Sequence, residues 1–334
     1  VRAIVAVVAF VLFAASAIAG TVEIKDGRFL RNGQPWLAEG VTLVGFVAPE
    51  NLLRPAYANA RKKWGPQLLT NIKAFGADTI RFQVSQAALD PQSKMFDTRY
   101  EGEVLEAVAL ARKSGFVVIV SMQWQPPAGS PDQKNMPSAV TERAWKQIAR
   151  HFRGDSEILL EIFNEPGLKE DTAANWRIWQ QTMQPLVEVI RAETDNILLL
   201  DGLRGGKYLT DVPKIRDPLG KLAYAIHPFL MKFNRTPAQW EKNWGAFARG
   251  KPVIATAFAA SSDRKAQCFD KVPETTQQLF QYLRTLNIGL VVWAFDLASI
   301  QRRGELTNFE NFSCGGDEQK GVGQAASDYF RAHN

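Results

Sequence analysis

The chain has 334 residues, of which 46% are hydrophobic and 22% charged, and its formal net charge is +6 at pH 7. A length of this order suits one large α/β domain preceded by a short leader. Lysine and arginine are scattered among acids rather than clustered, which argues against nucleic acid as a partner; two cysteines and three histidines without ligand spacing give no metal site and imply no cofactor.

In chain order, Arg2 is followed by an apolar stretch from Ala3 to Ala15, then by Ser16-Ala17-Ile18-Ala19-Gly20. The small-residue pattern Ala17-x-Ala19 predicts a secretory signal peptide over residues 1–19, cleaved after Ala19. A membrane anchor is the competing reading, but the stretch is short for a bilayer span of about 20 residues. The expected location is secreted or periplasmic, with no integral membrane association after signal removal, and residues 20–334 are expected to form a single domain. In an oxidising compartment an even pair of cysteines bridges, so a Cys268–Cys314 disulfide is expected.

Thr21 to Trp36 alternates and carries Asp26-Gly27 and Asn32-Gly33, the signals of a short N-terminal β-hairpin. Strand-like runs follow at Leu37–Phe46, Ala77–Val84, Phe116–Gln123, Glu157–Asn164, Asn196–Asp201, Lys221–His227, Pro252–Phe258 and Ile288–Phe295. Between them, apolar residues at three- and four-residue spacing predict helices over Gly65–Phe75, Tyr100–Ser114, Ala139–Phe152, Thr172–Glu193, Pro237–Arg249 and Pro273–Leu286. The crossover Lys207–Asp217 is weaker and is expected to hold only a short helix, and Gln319–Ala332 closes the series. Gly76 and Gly115 sit where helices should stop. Strands alternating with helices predict a (β/α)8 TIM barrel, whose chemistry belongs at the carboxyl ends of its strands.

One segment points at that chemistry. Ile158 to Asn164 is an apolar run ended by Glu165-Pro166. Proline cannot donate to a strand ladder and restricts the residue before it, so a carboxylate is set at the end of a buried strand. Aromatics in the loops on that rim (Trp124, Phe229, Phe233 and Phe309) could stack on sugar rings, although large aromatics more often pack. Trp293, near the end of the last strand, is the strongest candidate among them.

The ordered set of segments resembles glycoside hydrolase family 5, the barrel family of many cellulases and mannanases. Asp26 to Pro35 resembles the hairpin that floors such barrels, and Leu37-Ala38-Glu39-Gly40-Val41 the first strand. Ile72 to Arg81 resembles the first helix and second strand, and Glu161 to Pro166 the acid/base strand. His227 resembles the histidine of strand six, Gly250 to Ala259 the nucleophile strand, and Val292-Trp293 the last strand with its sugar-platform tryptophan.

The resemblance implies retaining hydrolysis of a β-linked glycan, β-glucan or related, with an oligo- or polysaccharide as partner. In that mechanism two carboxyl groups flank the glycosidic bond about 5–5.5 Å apart. Glu165 takes the acid/base place, with a raised pKa caused by a nearby negative nucleophile. Asn164 is expected to bind the sugar 2-hydroxyl. Arg81 is expected either to hold the nucleophile ionised or to be the buried partner of Glu161, and His227 to contact the sugar or the acid/base pair.

The pattern breaks at strand seven, where Ala257 stands in the nucleophile position. A methyl group neither attacks a sugar nor serves as a base. Gln123, with Trp124 beside it, replaces the histidine of strand three; Phe229 replaces the tyrosine of a His-x-Tyr pattern; and Thr42 replaces the asparagine of strand one. Three accounts stay open on the sequence: a hydrolase whose nucleophile has been replaced, a catalytically dead sugar-binding pseudoenzyme, or an enzyme that recruits Asp263 or Asp296.

Overall fold

The computed structural model describes residues 20–129, 134–260, 268–297, 300–302, 305–306, 309–310, 312, 314 and 321–333. The expected signal peptide and Asp263 lie outside the described residues. The turns at Asp26-Gly27 and Asn32-Gly33 both form, with positive φ at all four residues (50°, 72°, 55° and 75°), as two-residue turns between twisted strands require. They join β1 (Val22–Lys25), β2 (Arg28–Arg31) and β3 (Gln34–Pro35) into an antiparallel sheet, so the expected hairpin gains a short third strand.

Eight parallel strands then close a barrel. They are β4 (Glu39–Leu43), β5 (Thr79–Ser85), β6 (Val117–Gln123), β7 (Ile158–Glu161), β8 (Leu198–Asp201), β9 (Leu222–Ile226), β10 (Val253–Phe258) and β11 (Gly289–Val292). Neighbours follow chain order, and β11 pairs with β4 to complete the ring. Every residue of β6, β7, β8, β10 and β11 is buried, which is why these strands read as continuous apolar runs rather than as alternation. The amino-terminal end of the barrel is stoppered by Val22, Phe29 and Trp36, packed on inward residues such as Ile119, Leu159 and Leu199. That leaves the opposite rim for a site.

The outer helices include Pro66–Phe75, Thr98–Lys113, Ala139–Ile148, Ala173–Glu193, Val272–Thr285 and Gly323–Arg331. Gly76 ends the first in left-handed backbone (φ 98°). Two departures from expectation have local causes. The stretch Lys207–Asp217 forms no helix, because Pro213 lacks the N–H that a helix interior needs and Arg204, Gly205 and Gly206 ahead of it are all left-handed (φ 54°, 64° and 72°). An additional helix, Pro55–Lys62, fills the loop after β4, started by a proline at its first turn. Cys268 and Cys314 form the expected disulfide, tying the loops that follow β10 and β11. Among the described residues no helix is long and apolar enough to cross a membrane.

Glu39 opens β4 near the floor and is only 5% exposed. Burial, and then Asp78 beside it, push its carboxyl from 4.5 up to about 8 against the weaker opposing pull of Arg284. The folded chain keeps a proton there that the unfolded chain releases, so this stability is whole below about pH 4.5 and is lost as pH rises through about 8. Glu39→Gln, neutral throughout, should raise the thermal midpoint by several degrees at about pH 9 and much less at about pH 5. Equal shifts at the two pH values would count against this assignment.

Candidate active site

The deepest element of the site is a buried ion pair. Arg81, on β5, is completely buried, as is Glu161 at the end of β7. Arg81 Nε and Nη2 donate to the two Glu161 oxygens at 2.5 and 2.8 Å. Nη2 also reaches Ser121 Oγ at 2.9 Å and Asn164 Oδ1 at 2.7 Å. Burial alone raises the Glu161 carboxyl, but Arg81 and the His227 ring outweigh it and hold it well below the usual range. Arg81 is thus the buried partner of Glu161, and it does not itself line the cavity above. Its Nη1, and the Oγ1 of Thr42 on the neighbouring strand, have no hydrogen-bond partner among the described residues.

Asp201, at the end of β8, is also fully buried. Burial, reinforced by the adjacent Glu161, lifts its carboxyl well above the usual value. Two neighbouring carboxyls resist joint ionisation, and Arg81 favours the charge on Glu161, so Asp201 is the one that keeps its proton. Glu161, Asp201 and His227 each bring one ligand atom within 4.8 Å of the others. This trio is a poor cation seat, because the guanidinium already occupies both Glu161 oxygens and would repel a metal ion.

Beyond Glu161 the chain turns out of the barrel. Asn164 N–H still donates to Met122 O at 2.9 Å, and Glu165 N–H is caught by Asp201 Oδ2 at 2.8 Å. Glu165 has φ +53°, an unfavourable conformation for a residue with a side chain. It is held there by Pro166 and by the turn Leu203–Gly206, whose Gly205 N–H donates to Pro166 O at 2.9 Å. A Cβ at Gly206 would come within 3.0 Å of the His227 ring, so the close fit of this turn requires glycine.

Glu165, Asn164, Gln123, His227, Ala257 and Trp293 all line one cavity of about 300 Å³ at the carboxyl rim. His227 Nδ1 lies 3.0 Å from Glu165 Oε1, and its Nε2 lies 3.0 Å from Thr256 Oγ1. Gln125 Nε2 donates to Glu165 Oε2 at 3.2 Å. Burial pushes the Glu165 carboxyl up, but the His227 ring, Lys207 and Gln125 outweigh it and hold it at about 2. The raised pKa that an ionised nucleophile nearby would give Glu165 does not arise in this chain. That expectation assumed a second carboxylate nearby, and Glu165 is the only carboxylate lining the cavity among the described residues.

Ala257 lies at the end of β10, where a bulge between Ala255 and Phe258 shifts the register against β11. Its methyl group packs with Phe229, Ala259, Met231 and Trp293 in an apolar cluster. Trp124 does not line the cavity. It stacks on Phe163 (6.2 Å between ring centroids) and donates to Asn164 O at 2.9 Å, supporting the strand end. Phe233 packs under the Arg204 guanidinium, and Phe309 packs against Phe312. Asp296 is buried away from the cavity, its carboxylate accepting from Val44 and Gly45 N–H at 2.9 Å.

Lys207, Gln125 and Asp201 escape a reading of the sequence. Their roles come from contacts between strand ends that are distant in the chain. The doubled glycine before Lys207, directly after a strand, is the one local signal that marks that turn.

Two outcomes follow from this geometry. Arg81→Met leaves Glu161 buried without its cation and should cost about 3–5 kcal/mol in denaturant unfolding, whereas Arg81→Met with Glu161→Gln should recover at least half of it. No recovery would show that the pair is not what the barrel interior relies on. A carboxylate introduced by Ala257→Glu should raise the Glu165 pKa above its value of about 2, read from the carboxyl carbon by NMR titration. An unchanged pKa would mean that the two positions do not face each other.

Comparison with solved structures gives the same architecture. A β-glucanase from Saccharophagus degradans matches with a TM-score of 0.67 at 20% identity, covering 94% of this chain and 92% of that one. The catalytic domain of a mannanase from Streptomyces sp. SirexAA-E matches with 0.59 at 18%, covering 86% and 84%. A mannotriose complex of β-mannanase from Thermomonospora fusca matches with 0.56 at 18%, covering 83% and 84%. At these identities the likeness is one of fold. No curated protein sequence matches the chain. The family model for cellulase, glycosyl hydrolase family 5, matches residues 50–299, well over half of the chain. The chain belongs to glycosyl hydrolase family 5.

Proposed function

We propose that this protein binds a β-linked glycan in the cavity between Glu165 and Ala257, on the plan of a retaining glycoside hydrolase, and that its own hydrolysis is severely impaired. The observation that carries the reading is the pairing of positions. Glu165, at the end of the β7 segment, and residue 257, at the end of β10, line the same cavity, and the second of them is alanine. Asn164, with Oδ1 engaged by Arg81, can offer its amide to a sugar hydroxyl. Trp293 and Phe229 supply apolar faces for a ring, and Gln123 and Lys207 supply donors. Cello- and manno-configured glycans are the first candidates, given the glucanase and mannanases that share the fold. A secreted or periplasmic location fits the disulfide.

One observation favours the sugar-binding form of this reading over a simple loss of one side chain. Residue 257 packs in an apolar cluster that includes phenylalanine where the resemblance puts a tyrosine. Recruitment of Asp296 is disfavoured by its two amide partners and by its absence from the cavity lining.

The test is calorimetric and kinetic. The unaltered chain should bind a cello- or manno-oligosaccharide and turn it over slower than an Ala257→Glu, Phe229→Tyr variant by an amount equivalent to about 5–8 kcal/mol of barrier. Ordinary glycosidase rates in the unaltered chain would overturn the assignment of residue 257. An inert variant that still binds glycan tightly would leave a binding module. Failure of every β-glycan to bind would reject the reading.

A further inference from the structure

Asp296, in the turn that follows β11 and just past Trp293, is a buried carboxylate (3% exposed) that the proposed function leaves unused. Among the described residues its donors are backbone N–H groups. Val44 N–H donates to Oδ1 at 3.2 Å and to Oδ2 at 2.9 Å, and Gly45 N–H donates to Oδ2 at 2.9 Å. Lys63, the cation that acts on it, donates to the main-chain oxygen of Asp296 at 2.8 Å rather than to the carboxylate. The other titratable side chains of the adjoining helix turn elsewhere, Arg61 to Glu103 and Tyr57 to the cavity. A carboxylate sealed from water without a cation is costly to keep. The two amides it holds begin one wall of the cavity. Val47 N–H returns to Val44 O at 3.1 Å, and Val47 lines the cavity. Gly45 lies directly on the helix Pro55–Lys62, where a Cβ would meet the Arg61 backbone at 2.8 Å, and Tyr57 of that helix lines the cavity as well. Trp293 lines it from the other side of the clamp, and both rings pack against Val44, Ala60 and Ala294.

We propose that Asp296 is a positioning residue for glycan binding, which by clamping Val44 and Gly45 aligns Trp293, Val47 and Tyr57 as one wall for a sugar ring. This rests on the glycan-binding reading above. The carboxylate does not touch the sugar. It fixes the end of β11 against the end of β4, and the three side chains hang on those two ends. The charge matters to the clamp, because hydrogen bonds to an ionised oxygen are about twice as strong as those to a neutral one. Each oxygen already faces an N–H, so a proton on either weakens the hold. Burial, against the pull of the Gly45 and Val44 amides and of Lys63, pushes this carboxyl from 3.8 up to about 6. The folded chain therefore favours the protonated acid, and that stability is whole below about pH 3.8 and lost as pH rises through about 6. Stability and binding thus require opposite charge states of one group. Above about pH 6 the clamp is tight and the fold less stable; below it the fold gains and the wall loosens.

The test compares the full chain with Asp296→Asn, which keeps the shape and is neutral at every pH. At about pH 7.5 the substitution should weaken calorimetric affinity for a cello- or manno-oligosaccharide about tenfold or more while raising the thermal midpoint by several degrees. The affinity of the unaltered chain should fall as pH drops through about 6, and the difference between the two proteins should close by about pH 4.5. That difference isolates Asp296, because His227 and Glu165 are common to both. The Gly45 amide proton should move through the same pH range in the unaltered chain, read by NMR without any glycan, and stay still in the variant. Unchanged affinity in Asp296→Asn would overturn the positioning role and leave glycan binding standing. Affinity and stability lost together at about pH 7.5 would make Asp296 merely structural and overturn the proposal as well. Should the variant not fold, a Gly45 amide that does not titrate in the unaltered chain, or an affinity level across pH of about 6, would overturn it. Absence of any glycan binding would remove the underlying reading and this inference together.

Discussion

The ion pair of Arg81 and Glu161 organises the interior of this barrel. Two opposite charges, both sealed from water, attract strongly but are expensive to desolvate, so such a pair persists only where further hydrogen bonds complete it. Ser121 and Asn164 complete the guanidinium, while His227 and Thr256 approach the carboxylate. Each of these partners comes from a different part of the ring. The pair therefore couples β5, β6, the end of β7, β9 and β10 through side chains, in addition to the backbone ladder. It also acts on its neighbours, since burial and then the charged Glu161 lift the Asp201 carboxyl well above its usual value.

That arrangement reaches Glu165 at two points. Asp201 holds its backbone N–H in a left-handed turn, and His227 holds its carboxylate. Backbone strain of this kind, of order 1–3 kcal/mol, persists where the surroundings over-determine the geometry. Here Pro166, the left-handed turn ahead of Lys207 and the buried acid supply the constraint. The consequence is chemical as well as geometric. With donors on both oxygens and no second carboxylate lining the cavity among the described residues, the Glu165 carboxyl is held low rather than raised.

Position 257 and its neighbours read as one environment. A glutamate at the end of β10 would need polar partners to remain ionised, yet Phe229, Met231 and Trp293 offer apolar surface. Burying a charge without partners costs several kcal/mol, and an alanine avoids that cost. What stays polar, namely Asn164, Gln123, His227 and Glu165, lies on the other side of the cavity's chemistry and is suited to holding sugar hydroxyls.

How much of this was legible beforehand divides along a physical line. Period and punctuation are local properties, so the eight strands, most helices, the stops at Gly76 and Gly115 and the two floor turns could be recognised from the chain alone. So could the strand-end placement of Glu165 before proline, and the alanine at 257. The order of those segments carried the family, and the pairing of Cys268 with Cys314 followed from there being only two cysteines. Contacts across the ring were not legible, because they depend on how eight strands close and tilt. Closure put Arg81 beneath the cavity rather than in its wall, turned Trp124 onto Phe163, and brought Asp201, Lys207 and Gln125 to Glu165. It also assembled the His227, Lys207 and Gln125 groups that hold the Glu165 carboxyl low. The charge state of a carboxyl depends on the neighbours that surround it in space, and those neighbours are scattered from β6 to β9 along the chain.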